Sequence, residues 1–230
     1  MFNKKKALIL AAAAVAVALI ASACSANALP KAITDNISEI RTNIYSSPDS
    51  ANVINVITGT RENPYKIDGI TGKIGQYTVI TYTPAQVVPN MEYSYKLTAG
   101  DKEYSGKMEV HPMGTSVAAE FGTALTVAEI SVVITPKGGS EQLYPLTGKY
   151  CGDEMIKWED AVSAAMNTLK EPLAAMFDGK TLKGEVFIRL TNEPKSSDLI
   201  YWYVSFCDGD KTIAALIDAR TGQVVASRTA

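Results

Sequence analysis

A single histidine, His111, stands in a chain of 230 residues. A zinc signature such as H-E-x-x-H needs a pair, so that chemistry has no ligands here. The three cysteines, Cys24, Cys151 and Cys207, form no C-x-x-C pair, which removes the other common metal and redox spacing. A nucleophile elbow fails at its last glycine in Gly114-Thr115-Ser116-Val117-Ala118, a segment lying between strand-like runs. Asp153, Glu154, Asp208 and Asp210 offer oxygen ligands, but Ca²⁺ takes roughly six to eight oxygens and their spacing fits no EF-hand loop. They read as solvated acids, two of them at a hairpin tip. Acid, base and nucleophile have no shared constellation, so no enzyme, cofactor or metal is expected.

A long apolar span is also missing. The longest run, Ala7 to Ile20, falls short of the roughly 20 residues of a membrane-crossing helix. With Lys4, Lys5 and Lys6 before it and Ala21-Ser22-Ala23-Cys24 after it, the run reads as a cleavable export signal over residues 1–23. The mature chain is therefore expected outside the cytoplasm. Cys24 directly after small residues resembles the bacterial lipoprotein pattern, which implies diacylglycerol on Cys24 and a membrane anchor made of lipid. The pattern usually carries Leu three places before the cysteine, where this chain has Ala21. The alternative is ordinary cleavage after Ala23 or Ala28, which would release a secreted protein.

Basic charge is scarce as well. Removal of residues 1–23 leaves 19 basic and 24 acidic side chains, a net charge of about −5. No basic stripe exists to neutralise phosphates, so nucleic acid is not an expected partner. The mature length is enough for two domains with their own cores. Residues 24–36 are small and polar and read as a tether. In an oxidising compartment Cys151 and Cys207 are candidates for a disulfide, which would close a loop worth up to about 4 kcal/mol on the chain-entropy account. The alternative is two thiols that never meet.

From residue 37 to 148 the chain alternates apolar and polar residues in short runs rich in Val, Ile, Thr and Tyr. The runs are Ile40/Thr42/Ile44, Val53–Thr60, Tyr77–Thr83, Met91/Tyr93/Tyr95/Leu97, Lys102–Val110, Val117–Phe121, Val127–Thr135 and one from Gln142. Gly100-Asp101 and Lys137-Gly138-Gly139 stand where hairpins should turn. This spacing predicts a β-sandwich. Pro89-Asn90-Met91-Glu92-Tyr93-Ser94-Tyr95-Lys96-Leu97 resembles a strand of fibronectin type III and other immunoglobulin-like modules, which implies an Ig-like sandwich. The Cys and Trp pair of true immunoglobulin domains is lacking.

After Cys151 the period changes. Ile156, Ala161, Val162, Ala165, Met166 and Leu169 recur at helical steps, with Asp153, Glu154, Glu159 and Asp160 at the favourable positive end. Pro172 breaks or restarts that helix. Strands are expected over Gly184–Thr191, Leu199–Cys207, Lys211–Asp218 and from Gln223, with a hairpin at Asp208-Gly209. Alternation sets Ile200, Trp202, Val204 and Phe206 on one face under the helix and Tyr201, Tyr203 and Ser205 on the other. At the end of the chain, Asp218 is expected to accept backbone N–H bonds across a turn whose left-handed position is Gly222.

The helix, the strand Tyr201-Trp202-Tyr203-Val204-Ser205-Phe206 and the ending Ala215-Leu216-Ile217-Asp218-Ala219-Arg220-Thr221-Gly222-Gln223-Val224-Val225 resemble a PepSY domain over about residues 151–230. Such modules occur in propeptides of secreted metallopeptidases and in exported proteins, which implies control of a peptidase. With no catalytic domain after Ala230, that control is expected in trans. The expected class is thus mainly β, an Ig-like sandwich followed by a PepSY-like helix on an antiparallel sheet. The expected function is a non-catalytic, lipid-anchored surface protein that binds a polypeptide, with an exported peptidase or another surface protein as partner and Tyr201 and Tyr203 as contacts. The alternative is a carbohydrate or envelope-polymer binder that uses the Tyr-rich sandwich.

Overall fold

The computed structural model describes residues 28–47, 51–86, 90–111, 114–150, 154–193 and 196–229. The expected export signal, Cys24 and Cys151 lie outside them. The chain is mainly β and divides into two compact units. One unit comprises Arg41–Thr60 and Gly75–Gly152. The other takes the chain up to Ile40, then Arg61–Ile74, then Asp153–Ala230.

The eight strands of the first unit, or the parts of them that belong to it, follow the alternation. They are β1 (Ile37–Ser46), β2 (Val53–Glu62), β3 (Ile74–Thr83), β4 (Tyr93–Ala99), β5 (Lys102–Val110), β6 (Val117–Phe121), β7 (Glu129–Pro136) and β8 (Gln142–Thr147). Their order is β1-β2-β3-β6-β5-β4-β7-β8. β5 pairs with β4 over Lys102–Met108 and then with β6 at Glu109 and Val110, so one strand joins two rows. At the far end Tyr45 bridges Gly148, which brings the segment after β8 back beside β1.

Tyr93, Tyr95 and Leu97 from β4 meet Ile54 and Val56 from β2, Ile80 and Tyr82 from β3, and Val132 and Ile134 from β7 in one buried core. Buried hydroxyls inside it are paired, as burial requires. Thr58 Oγ1 donates to the Tyr77 carbonyl at 3.0 Å and accepts the Leu125 N–H at 2.8 Å. Ala99 faces Lys102 across Gly100-Asp101, with Gly100 at φ 61°, the positive value that a two-residue hairpin demands.

The second unit is built on four antiparallel strands, β11 (Glu185–Glu193), β12 (Ser196–Cys207), β13 (Thr212–Asp218) and β14 (Val224–Thr229). The start of β1 lies beside β11. A helix α2 (Trp158–Thr168) packs on β12, β13 and β14 and buries Ala161, Val162, Ala165 and Met166. Trp202, Val204 and Phe206 lie beneath it, each 1% exposed or less. The Trp202 indole N–H donates to the Ile156 carbonyl at 3.1 Å, which satisfies the one polar atom that the ring buries. Leu169 interrupts the helix, and α3 (Lys170–Ala174) restarts with Pro172 in its first turn, where the missing N–H does least harm. A small hairpin, β9 (Phe177–Asp178) and β10 (Thr181–Leu182), follows.

Two stretches that composition groups elsewhere belong to this unit. Residues 31–34 form a helical turn, α1 (Lys31–Thr34), and its Ile33 is fully buried, so the segment read as tether contributes to a core before residue 36. Residues 37–40 and 61–74, read as sandwich, share the unit with the C-terminal segment. The loop between Glu62 and Ile74 touches the β12–β13 hairpin backbone to backbone. A Cβ on Gly69 would stand 2.6 Å from the Asp208 carbonyl oxygen, and one on Gly209 would stand 3.0 Å from that of Asp68. Two glycines, each at positive φ, permit that approach.

Gly69→Ala is expected to destabilise the protein by about 2 kcal/mol, from backbone strain and clash together. Gly179→Ala, also at positive φ but with open space around the new methyl, is expected to lose about 1 kcal/mol. Urea unfolding midpoints of the two variants check the difference.

Candidate functional site

The β11–β14 sheet has a second face, opposite α2, and the polar residues gather there. Register aligns Arg189 with Tyr203 and Thr191 with Tyr201 across β11 and β12, and Phe187 with Ser205. Ser205 is buried, whereas Tyr201 and Tyr203 are half-buried. The Tyr203 hydroxyl accepts from Arg228 Nη2 on β14 at 2.9 Å, and the guanidinium lies 5.9 Å from the ring centre. Tyr203 thereby reaches across β13 to the last strand.

Around Arg189 the burial is deeper. Its Nε donates to Glu39 Oε2 at 2.6 Å, and the Glu39 side chain is 1% exposed. The Tyr65 hydroxyl donates to the same carboxylate at 3.1 Å and accepts from Arg189 Nη2. Arg189 also lies 4.6 Å over the Phe187 ring, and Tyr65 meets that ring edge-on. Burial is the largest single influence on the guanidinium and pulls its pKa down, but the charge and hydrogen bond of Glu39, with Tyr65 and Tyr203, together outweigh it and the net direction is upward.

Two further carboxylates are sealed in. Glu62 Oε1 accepts the Lys66 N–H at 3.0 Å and Oε2 that of Gly72 at 2.8 Å. Glu185, fully buried, accepts the Gly69 N–H at 2.9 Å through Oε1, while Oε2 has no hydrogen-bond partner. Glu62 and Glu185 hold the loop from residue 63 to 73 by its own backbone. Sequence reading missed all three acids, because an isolated Glu among strand residues carries no signal of burial. Among the described residues no group of His, Cys, Asp or Glu is arranged to hold a metal ion.

Asp218 Oδ1 accepts the N–H groups of Arg220 at 2.9 Å and Thr221 at 2.8 Å, and Gly222 turns the chain at φ 74°. The Thr221 N–H is the larger influence holding the Asp218 carboxyl below its usual range. The turn is also a dock, since Ile156 donates its N–H to the Ala219 carbonyl at 2.8 Å and its side chain packs near Gly222. Cys207 is buried beside the Thr212 hydroxyl. Its expected partner Cys151 lies outside the described residues.

The outer side of the sheet is formed by β14. It stands last in the strand order, its residues 225–229 are exposed, and no further strand pairs with it among the described residues. A register shift between Leu216 and Ile217 leaves Val225 as an extra residue, a bulge near the start of the edge. The other unit carries an open cleft of about 680 Å³ lined by Glu92, Tyr93, Lys107, Met108 and Lys137, with the Lys137 ammonium 2.7 Å from Glu92. The chain matches no protein-family model, no curated protein and no solved structure.

Arg189→Met is expected to destabilise the protein by about 3 kcal/mol, because it leaves Glu39 buried and uncompensated. A Glu39→Gln/Arg189→Met double variant should recover part of that loss, and denaturant unfolding of the three chains reads it. The depressed Asp218 pKa means its contribution is fully present above the ordinary carboxylate range and fades as pH falls through the folded value. Asp218→Ala should therefore lower stability by about 1 kcal/mol at pH 7 and by less at pH 3, measured by thermal melting.

Proposed function

We propose that this chain is a non-catalytic, extracytoplasmic protein, anchored through lipid on Cys24, that binds a polypeptide by strand addition at β14. The observation that carries the reading is the open edge itself. A terminal strand with unpaired backbone groups takes affinity from main-chain hydrogen bonds and selectivity from neighbouring side chains. Here the neighbours are Arg228 and the Tyr203 it bonds, with Tyr201 two residues before Tyr203 on the same face. An exported peptidase is the partner class that the PepSY resemblance suggests. A helix on an antiparallel sheet and the turn from Asp218 to Gly222 are consistent with that resemblance.

For the other unit we propose an Ig-like sandwich. Taken as A, B and E, strands β2, β3 and β6 lie in one row, and β5, β4, β7 and β8 follow the order C′, C, F and G in the other. β1 is then an added strand beside A. The envelope-polymer reading has less support, because most of the tyrosines it needs are inside: Tyr45, Tyr77, Tyr82, Tyr93 and Tyr95 are buried, and Tyr104, Tyr144 and Tyr150 are half-buried. Stacking on sugar requires an exposed ring face.

A photoreactive side chain at Ala226 is expected to capture an exported polypeptide on producing cells, and Tyr201→Ala/Tyr203→Ala should abolish the capture with folding intact by circular dichroism. Capture of the same polypeptide from Leu143, on the other unit, or capture unchanged by the tyrosine replacements, would refute the assignment. Deleting residues 151–230 is a poor alternative, since Ile33, Glu39 and the loop from 63 to 73 would lose the rest of their unit.

A further inference from the structure

Large apolar side chains that remain exposed concentrate in one loop. Tyr65, Ile67 and Ile70 lie on it and Ile74 at its foot, with Ile67 53% and Ile70 73% exposed. Single exposed apolar residues are ordinary, but Ile67, Ile70 and Ile74 are three within eight positions that the fold leaves exposed, whereas Tyr65 is engaged by Phe187, Glu39 and Arg189. The loop cannot fold back to hide them. Its neck is closed by the Asn63 N–H on the Lys73 carbonyl at 2.9 Å, Glu62 holds the N–H groups of Lys66 and Gly72, and Glu185 holds that of Gly69.

Charge on the loop is sorted. Lys66 and Lys73 are exposed on either side of the isoleucines, while the Glu62 carboxylate is turned inward. Asp68 is the one exposed acid, and it accepts the Ile70 N–H at 3.2 Å and lies 3.9 Å from Lys66. An exposed apolar loop with lysines at its flanks matches the interfacial layer of an anionic bilayer better than a protein groove.

We propose that this loop is a membrane-contact element, in which Ile67 and Ile70 enter the headgroup layer while Lys66 and Lys73 meet anionic lipid. The inference rests on the anchor at Cys24. Six residue steps separate Cys24 from Pro30, the residue before α1, a reach of about 20 Å at most. A unit whose core already includes Ile33 is thus held close to the bilayer. The loop belongs to that same unit, and Ser38 Oγ donates to Thr71 Oγ1 at 3.1 Å. The lipid supplies one attachment and the loop a second, which fixes the side that this unit turns to the bilayer.

The test uses the mature chain, purified from membranes with its own N-terminus and returned to phosphatidylcholine–phosphatidylglycerol vesicles with or without brominated acyl chains. Ile70→Trp is expected to lose emission in the brominated vesicles, after subtraction of the parent chain, while Leu143→Trp on the other unit keeps its emission. Ile67→Trp repeats the measurement at a second exposed position. Equal quenching at 70 and 143, or none at 70, overturns the proposal. So does a concentration-dependent blue shift of Ile70→Trp without lipid, which would assign the patch to a second copy. Intact mass of the same preparation reports Cys24 separately. A lipidated chain with an unquenched loop overturns the loop contact alone, and an unlipidated chain overturns the anchor. With excess vesicles added to that unlipidated chain, quenching at 70 still supports the loop contact and its absence overturns it.

Discussion

A carboxylate that leaves water must find compensation, and in the C-terminal unit that requirement falls on Glu39. Its oxygens are out of solvent, and the cation and phenol that answer them, Arg189 and Tyr65, come from two distant segments of the chain. The guanidinium can serve because it is itself mostly covered, stacked on Phe187, and so is not drawn off by bulk water. Once these three residues are fixed, the loop carrying Tyr65 is fixed at one end. Glu62 and Glu185 then fix the remainder through its amides, and the glycine contact with the β12–β13 hairpin follows. Remove the charge balance and each later step loses its support.

The same economy of buried acid explains how the loop is held without an apolar interior. Backbone amides of a loop are usually left to solvent, which keeps loops mobile. Here carboxylates occupy three of them from below, so Ile67 and Ile70 have no part in holding the loop. Ile67 and Ile70 are outward for that reason. On the opposite face of the sheet the division is reversed, with α2 covering aliphatic and aromatic residues and one indole N–H answered by a carbonyl.

Much of this was legible in the residues. Alternation over residues 37–148 gave all eight strands near their observed positions, because half-buried strands imprint period two on the sequence. Trp202, Val204 and Phe206 under a helix carrying Val162 and Met166 followed from two periods read together, and Asp218 with Gly222 from turn chemistry. The assembly of the C-terminal unit from three separated stretches was not legible. Composition is a local average, and residues 61–74, with Asn, Pro, Asp and Gly, read as an ordinary connection between strands. Their partners are set by Glu39, Glu62 and Glu185, and burial of a lone acid is decided by where its compensation lies in space.

The tie between Glu39 and Arg189 spans 150 positions of chain. A polypeptide emerges from its N-terminus, so Ile33 and Glu39 appear long before the strands that enclose them, whereas β2 to β8 find their neighbours within the stretch up to residue 148. The two units are therefore out of step in time. While the later segment is still being delivered, the earlier one holds an unmatched acid and an uncovered isoleucine.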